Sequence, residues 1–269
     1  MDNDIKVLAE KLEEYVKIIK KEYKKYIPIE TLVYLNETDD FKKIIKIKGT
    51  GTISMFVEDG IIFFPKDAYK VIGFMSKIPG FGRNKNHKTY TKETIIENDN
   101  NFQDYIKHVF ISGLTPIEYF QETLVHETMH LCGTGGSDPL KEGFTELKTR
   151  ELALKYNLLT SACGYPKEIK IALRLQSIFG DVISNKIAFA SNDYEIYRLL
   201  EKELGKKELE LYKNITFEME RVFRPYYEKK YPGLTGPFKK TKEYSKIDYS
   251  RVYEIIDDYI NDKTKESRL

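Results

Sequence analysis

The sequence predicts an α+β fold in which helix dominates and strand is confined to the first third of the chain. Three observations predict it. Apolar residues recur at helical spacing in the opening stretch, and short β-rich runs follow between 31 and 65. From 116 onward the chain breaks into segments that open at Pro or Asp and stop at Gly or Asn. No internal repeat or low-complexity linker interrupts this order. The expectation is one unit of two lobes, an N-terminal α+β lobe at 1–133 and a mainly α-helical C-terminal lobe at 134–269.

Residues 4 to about 26 set Ile5, Leu8, Leu12, Val16 and Ile19 on one face among alternating acids and bases, which predicts an amphipathic helix. The runs at 31–35, 44–47, 53–57 and 61–64 read as strands, and Glu58-Asp59-Gly60 reads as a hairpin turn. Together they predict a small antiparallel sheet packed against the helix that follows. Between them and that helix, the loop-rich stretch 79–90 is either a plain surface connection or a glycine-hinged flap over a substrate.

The next helix is announced by its ends. Thr115 is a candidate N-cap, Pro116 suits the first helical position, and Glu118 completes a capping box. Ile117, Phe120, Leu124 and Leu131 form its apolar stripe, and Gly133 is placed to stop it. After a short turn, Asp138 and Pro139 open a second helix that runs to about Tyr156, with Asn157 as its stop. So short a connection favours antiparallel neighbours. Further helices are expected from Pro166 to Phe179 before Gly180, from Asp193 to Leu204 before Gly205, from Lys206 until Pro225 interrupts, and over about 247–263.

On the first of these two helices stands His126-Glu127-Thr128-Met129-His130, which holds two of the four histidines in the chain. Residues four apart share a helix face, so both imidazoles can reach one metal ion, with Glu127 about 100° around the helix beside it. Glu142, in the first turn of the next helix, can face the end where His130 lies. Gly143 removes a side chain there and would let the two helices approach closely. Glu146 shares a face with Glu142, so either acid is open as the third ligand. The plain alternative is two ordinary histidines on an ordinary helix. A purely structural ion is a further one, although three N/O ligands without cysteine leave a position open and favour catalysis.

His-Glu-x-x-His followed on the next helix by Glu resembles the gluzincin metallopeptidases, which include the thermolysin-like enzymes and the zinc aminopeptidases. Glu142-Gly143-Phe144 is similar to the Glu-Gly-Phe of the aminopeptidase branch, and Glu142 with Glu146 resembles the Glu-x-x-x-Asp of the thermolysin branch. The resemblance implies a zincin-like fold, one zinc ion held by His126, His130 and Glu142, Glu127 as general base, and Glu146 orienting His126. It also implies a peptide or protein substrate, with the hairpin at 53–64 as the edge that would bind it. The likeness covers residues 126–146; the spacing from His130 to Glu142 is shorter than in either branch, and Glu stands at 146 where the family has Asp. No motif that grips a free amino terminus is evident.

Peptide hydrolysis also needs a donor to the developing oxyanion. Tyr165 is the candidate, because it precedes a helix-starting proline soon after the ligand helix; Tyr194, Tyr197 and Arg198 form a second cluster, and a structural tyrosine is the plain alternative for each. His87 and His108 are either oxyanion donors or polar surface residues. Cys132 and Cys163 set no disulfide framework and read as small thiols rather than ligands, because Cys132 points away from His130 by about 160°.

Composition fits these expectations. Lys and Arg number 44 against 42 Asp and Glu, so the overall balance points to neither nucleic acid nor membrane. No secretory signal or transmembrane run is visible, and cytoplasm is the default location. The function expected is a zinc-dependent peptidase. The alternatives are a peptidase selective for one partner, and a binding or regulatory protein on a metallopeptidase fold. An intact Glu127 favours an enzyme, because binding alone does not require a base.

Overall fold

The computed structural model describes residues 2–48, 55–66, 116–133, 138–158, 165–190, 192–228 and 243–266. Helix α1 (Asp2–Tyr23) buries Leu8, Leu12, Val16 and Ile19, the stripe the sequence spaces for that purpose. Its outer face carries Lys17–Glu13 and Lys11–Glu14 pairs at 2.6 and 2.7 Å. Such exposed pairs add a few tenths of a kcal/mol each, about 0.3–0.5 by comparison with other helices. Burial of the stripe holds α1 in place.

The run at 31–35 is helical, not a strand. It lies within α2 (Ile29–Glu37), which starts after Pro28 and buries Leu35. A short apolar run has no distinguishing period, and Pro28 before it with Glu30 in the first turn favours a helix start over β-branched propensity.

A 3-10 turn (Phe41–Ile44) leads into β1 (Ile45–Lys48), followed by β2 (Phe56–Glu58) and β3 (Ile61–Pro65). The order across the sheet is β1-β3-β2. β2 pairs antiparallel with β3 through the expected hairpin, whose Asp59 and Gly60 both have positive φ, 51° and 71°. β1 runs parallel to β3, with Ile45 opposite Ile62. The sheet is therefore mixed, not antiparallel throughout. The stretch from 49 to 60 between β1 and β3 is long enough for the crossover that a parallel pair requires, about a dozen residues. The start of the predicted strand at 53–54 lies outside the described residues.

Helix α3 (Pro116–Cys132) lies between α1 and the sheet. Phe120 meets Phe64 of β3 edge-on at 5.1 Å, so the sheet packs against this helix as the sequence leads one to expect. The candidate N-cap Thr115 lies outside the described residues. Helix α4 (Pro139–Tyr156) has the expected ends: the Asp138 carboxylate accepts from the backbone N–H groups of Leu140 and Lys141, and Asn157 closes the helix in the left-handed region.

The remaining helices are α5 (Pro166–Phe179), α6 (Asp181–Ala188), α7 (Asp193–Glu203), α8 (Lys206–Tyr227) and α9 (Ser250–Glu266). Helix α6 is one the sequence reading did not separate. Helix α8 runs through Pro225 instead of stopping there; the proline falls in the last turn, where its missing N–H removes a single bond and little helix remains to be kinked.

Among the described residues, buried apolar side chains form two clusters. One gathers α1, the sheet and α3, together with Leu152 near the end of α4. The other gathers the first half of α4 with α5 to α9. The fold is thus helix-rich α+β with a small three-stranded sheet. Among the described residues, no helix is long and apolar enough to cross a membrane.

Candidate metal centre

Helix α3 sets His126 and His130 on one face, with ring centroids 4.7 Å apart. The Asp138 cap fixes where α4 begins and so puts Glu142 in its first turn, facing that pair. The result is a small triangle. His126 Nε2 lies 3.0 Å from His130 Nε2 and 3.2 Å from Glu142 Oε2, and His130 Nε2 lies 3.1 Å from the same carboxylate oxygen.

The far side of His126 decides what that triangle offers. Glu146 Oε1 accepts from Arg150 Nε at 2.8 Å, and Oε2 lies 2.7 Å from His126 Nδ1. A carboxylate held beside a guanidinium is an acceptor, so it selects the tautomer with the proton on Nδ1. The Nε2 of the neutral ring then turns a lone pair into the triangle. Three Lewis-basic atoms so close together call for a cation or extra protons among them. Neighbouring ligands around a tetrahedral ion at about 2.0–2.1 Å stand about 3.3 Å apart, within a few tenths of an ångström of this spacing. His126, His130 and Glu142 form a group that could hold a metal ion.

Electrostatics report the same demand. Burial opposes a charge on His126, but the Glu142 and Glu146 carboxylates outweigh it and hold its pKa well above the ordinary value. Burial likewise pushes the Glu142 carboxyl up, yet the facing imidazoles bring it down to about 2.

Glu127 and Tyr165 border the triangle. Glu127 is only 9% exposed, and burial raises its carboxyl above the usual range while His126 and His130 pull the other way. Among the described residues no hydrogen bond to its carboxylate is seen. Tyr165 stacks on His126, centroids 5.8 Å apart and planes 19° from parallel. Burial, and then the charges of Glu142 and Glu127, hold its hydroxyl well above the ordinary value, so it remains a donor.

The structure therefore brings together His126, Glu127, His130, Glu142, Glu146 and Tyr165. Tyr194, Tyr197 and Arg198 are placed elsewhere: Tyr194 is exposed under Arg198, and Tyr197 packs on Tyr212 of α8. Cys132 is buried, its thiol pushed up to about 12 by burial, and it acts as a small core residue. Gly143 allows a close approach, but of a different pair of helices from the one expected. A Cβ there would stand 2.6 Å from the Glu168 carbonyl oxygen, so the glycine admits α5 and not α3. His87, His108, Cys163 and the stretch 79–90 lie outside the described residues.

Two contributors escaped the sequence reading. Arg150 was visible as a base four residues after Glu146. Glu168 was not, because its partners lie far along the chain. Comparison with protein-family models, with curated proteins and with solved structures returns no match for this chain.

Proposed function

We propose that this protein is a zinc-dependent peptidase of gluzincin type. One observation carries the reading: His126 Nε2, His130 Nε2 and Glu142 Oε2 converge within 3.2 Å, with a buried carboxylate, Glu127, beside His126 on the same helix. Two imidazoles and one carboxylate suit zinc, and a set of three protein ligands leaves a position for water or substrate. When bound, zinc supplies a Lewis acid and lowers the pKa of water.

The chain's own residues supply the rest. Glu127, one residue from His126, accepts the proton of the attacking water and hands it to the departing amine nitrogen. Glu146, held by Arg150, keeps His126 in one tautomer and one orientation. The Tyr165 hydroxyl is the donor available to the oxyanion that develops on the scissile carbonyl.

The test uses a complex peptide mixture as substrate, with new termini read by mass spectrometry. Glu127→Gln keeps the size of the side chain and removes the base. It should retain zinc and fold, while cleavage falls by about 10²–10⁴-fold, the usual contribution of general acid–base catalysis. Equal cleavage by variant and wild type would sink the mechanism. If neither cleaves, while His126→Ala alone abolishes a cellular role, the protein is a binding module built on the same centre.

A further inference from the structure

We infer that Glu168 is a positioning residue which, through the first turn of α5, holds the Tyr165 ring over His126. The inference rests on the peptidase reading for its functional meaning, but its geometry stands without it.

Tyr165 is a non-glycine residue in the left-handed region, φ 51° and ψ 47°, directly before Pro166. That conformation is unfavourable for a bulky side chain, and it persists where the surroundings over-determine it. The turn that follows is pinned from two sides. On one side the Glu168 carboxylate, fully buried, accepts the Tyr249 hydroxyl at 2.8 Å and the Tyr244 hydroxyl on its other oxygen. Lys167 Nζ donates to the carbonyl of Ser245 at 3.2 Å and to that of Ile247. On the other side Gly143, the residue after Glu142, lies so near that it has no room for a Cβ against the Glu168 carbonyl.

A buried carboxylate that accepts two tyrosine hydroxyls is a costly way to hold a helix, and apolar packing would serve for adhesion alone. Two directed hydrogen bonds add what packing does not: they fix the rotation of the turn about its axis. The turn begins at Tyr165, whose carbonyl accepts from Ile169 N–H at 3.0 Å. Rotation of the turn therefore sets where the Tyr165 ring points. The segment 243–249 thereby becomes part of the support of a centre whose ligands lie on α3 and α4.

The chain contains no tryptophan, so Tyr165→Trp makes a single-indole reporter at this position. In the metal-free protein, Glu168→Leu, or Tyr244→Phe with Tyr249→Phe, should increase acrylamide quenching of that indole several-fold and shift its emission red. Far-UV circular dichroism should stay unchanged. Glu168→Gln retains an acceptor and should largely restore the parent's values. Val252→Ala in α9 removes packing from the same core and should leave the indole unaffected. Unchanged quenching in the Glu168→Leu and tyrosine variants, or an equal rise in the Val252→Ala control, overturns the inference. If the tryptophan variant does not fold, Tyr249→Phe in the otherwise natural chain decides: faster amide exchange in the first turn of α5 supports it, and unchanged exchange refutes it. Cobalt(II) added to the Tyr165→Trp parent should quench the indole from the His126 site. Loss of that effect alone counts against the metal centre, while the acrylamide comparison still decides the role of Glu168.

Discussion

Gly143→Ala separates a crowded helix contact from an open one by the sign of its effect. In an open helix the change is stabilising, by about 0.8–1.0 kcal/mol from intrinsic propensity. Here the new Cβ would meet Glu168 O at 2.6 Å, Glu168 C at 2.8 Å and Glu168 Cβ at 3.0 Å. Ordinary contact begins near 3.4 Å, so α4 and α5 must separate by about 0.8 Å, and the nearest of these atoms is backbone with no rotamer to give way. Overpacking of this kind costs about 1–3 kcal/mol, which cancels or exceeds the propensity gain and leaves a net loss of up to about 2 kcal/mol. For a chain of this size that is a fall in Tm of up to about 8 °C. Thermal unfolding followed by circular dichroism measures it, with a metal titration alongside. Because the displaced residue adjoins Glu142, metal affinity should fall as well. A Tm higher than that of the parent would refute the close approach and the pinning of α5 that depends on it.

Purified protein should carry about one zinc per chain, and His126→Ala or His130→Ala should release it with helical content kept; full occupancy in the double variant would remove the centre. Glu142→Ala should abolish tight binding, whereas Glu146→Ala should weaken it by about 10–100-fold, as expected for a group that only orients a ligand. Dialysis against a buffered zinc series distinguishes the two, and the reverse order would reassign the third ligand. Asp138 gives a pH signature: burial raises its carboxyl from 3.8 to about 6, against the opposing pull of the Lys141 N–H. A raised acid favours the folded state while protonated, so this contribution is full below 3.8 and lost as pH rises through 6. Asp138→Asn keeps the cap oxygen and cannot ionise, so between pH 4 and 7 the metal-free variant should gain about 2–3 kcal/mol relative to the parent. A difference independent of pH in urea unfolding would contradict it.

The parts of the fold that were legible are those written in local chemistry. Pro116, Pro139 and Pro166 begin α3, α4 and α5, and Gly133, Asn157 and Gly180 follow their ends, as backbone preferences at those residues dictate. The clustering of His126, His130 and Glu142 was legible for the same reason: the histidines share a face by spacing alone, and the cap at Asp138 sets the position of Glu142. Where local signals were ambiguous, the reading failed. The run at 31–35 has strand-like residues and no resolving period, and the start signals just before it, Pro28 and Glu30, were passed over. The parallel pairing of β1 with β3 depends on the path of the intervening chain, which propensity does not encode. The partners of Glu168 are 76 and 81 residues away, and Gly143 faces α5 rather than α3, so neither relation leaves a sequence pattern.

Helix α4 belongs to both apolar clusters, with Leu140, Phe144 and Leu147 in one and Leu152 in the other, whereas the buried apolar side chains described for α3 all lie with Leu152. An ion held by His126, His130 and Glu142 would bridge those two helices at the seam, outside either core. Its binding energy would act on the cooperativity of the molecule rather than on the strength of either half. At a concentration a thousand times its dissociation constant it would add about 4 kcal/mol to whichever unfolding event pulls the seam apart. Loaded protein should then melt as one unit, and chelated protein should release its two halves at separate temperatures, so the number of transitions in a calorimetric scan would read the occupancy of the centre.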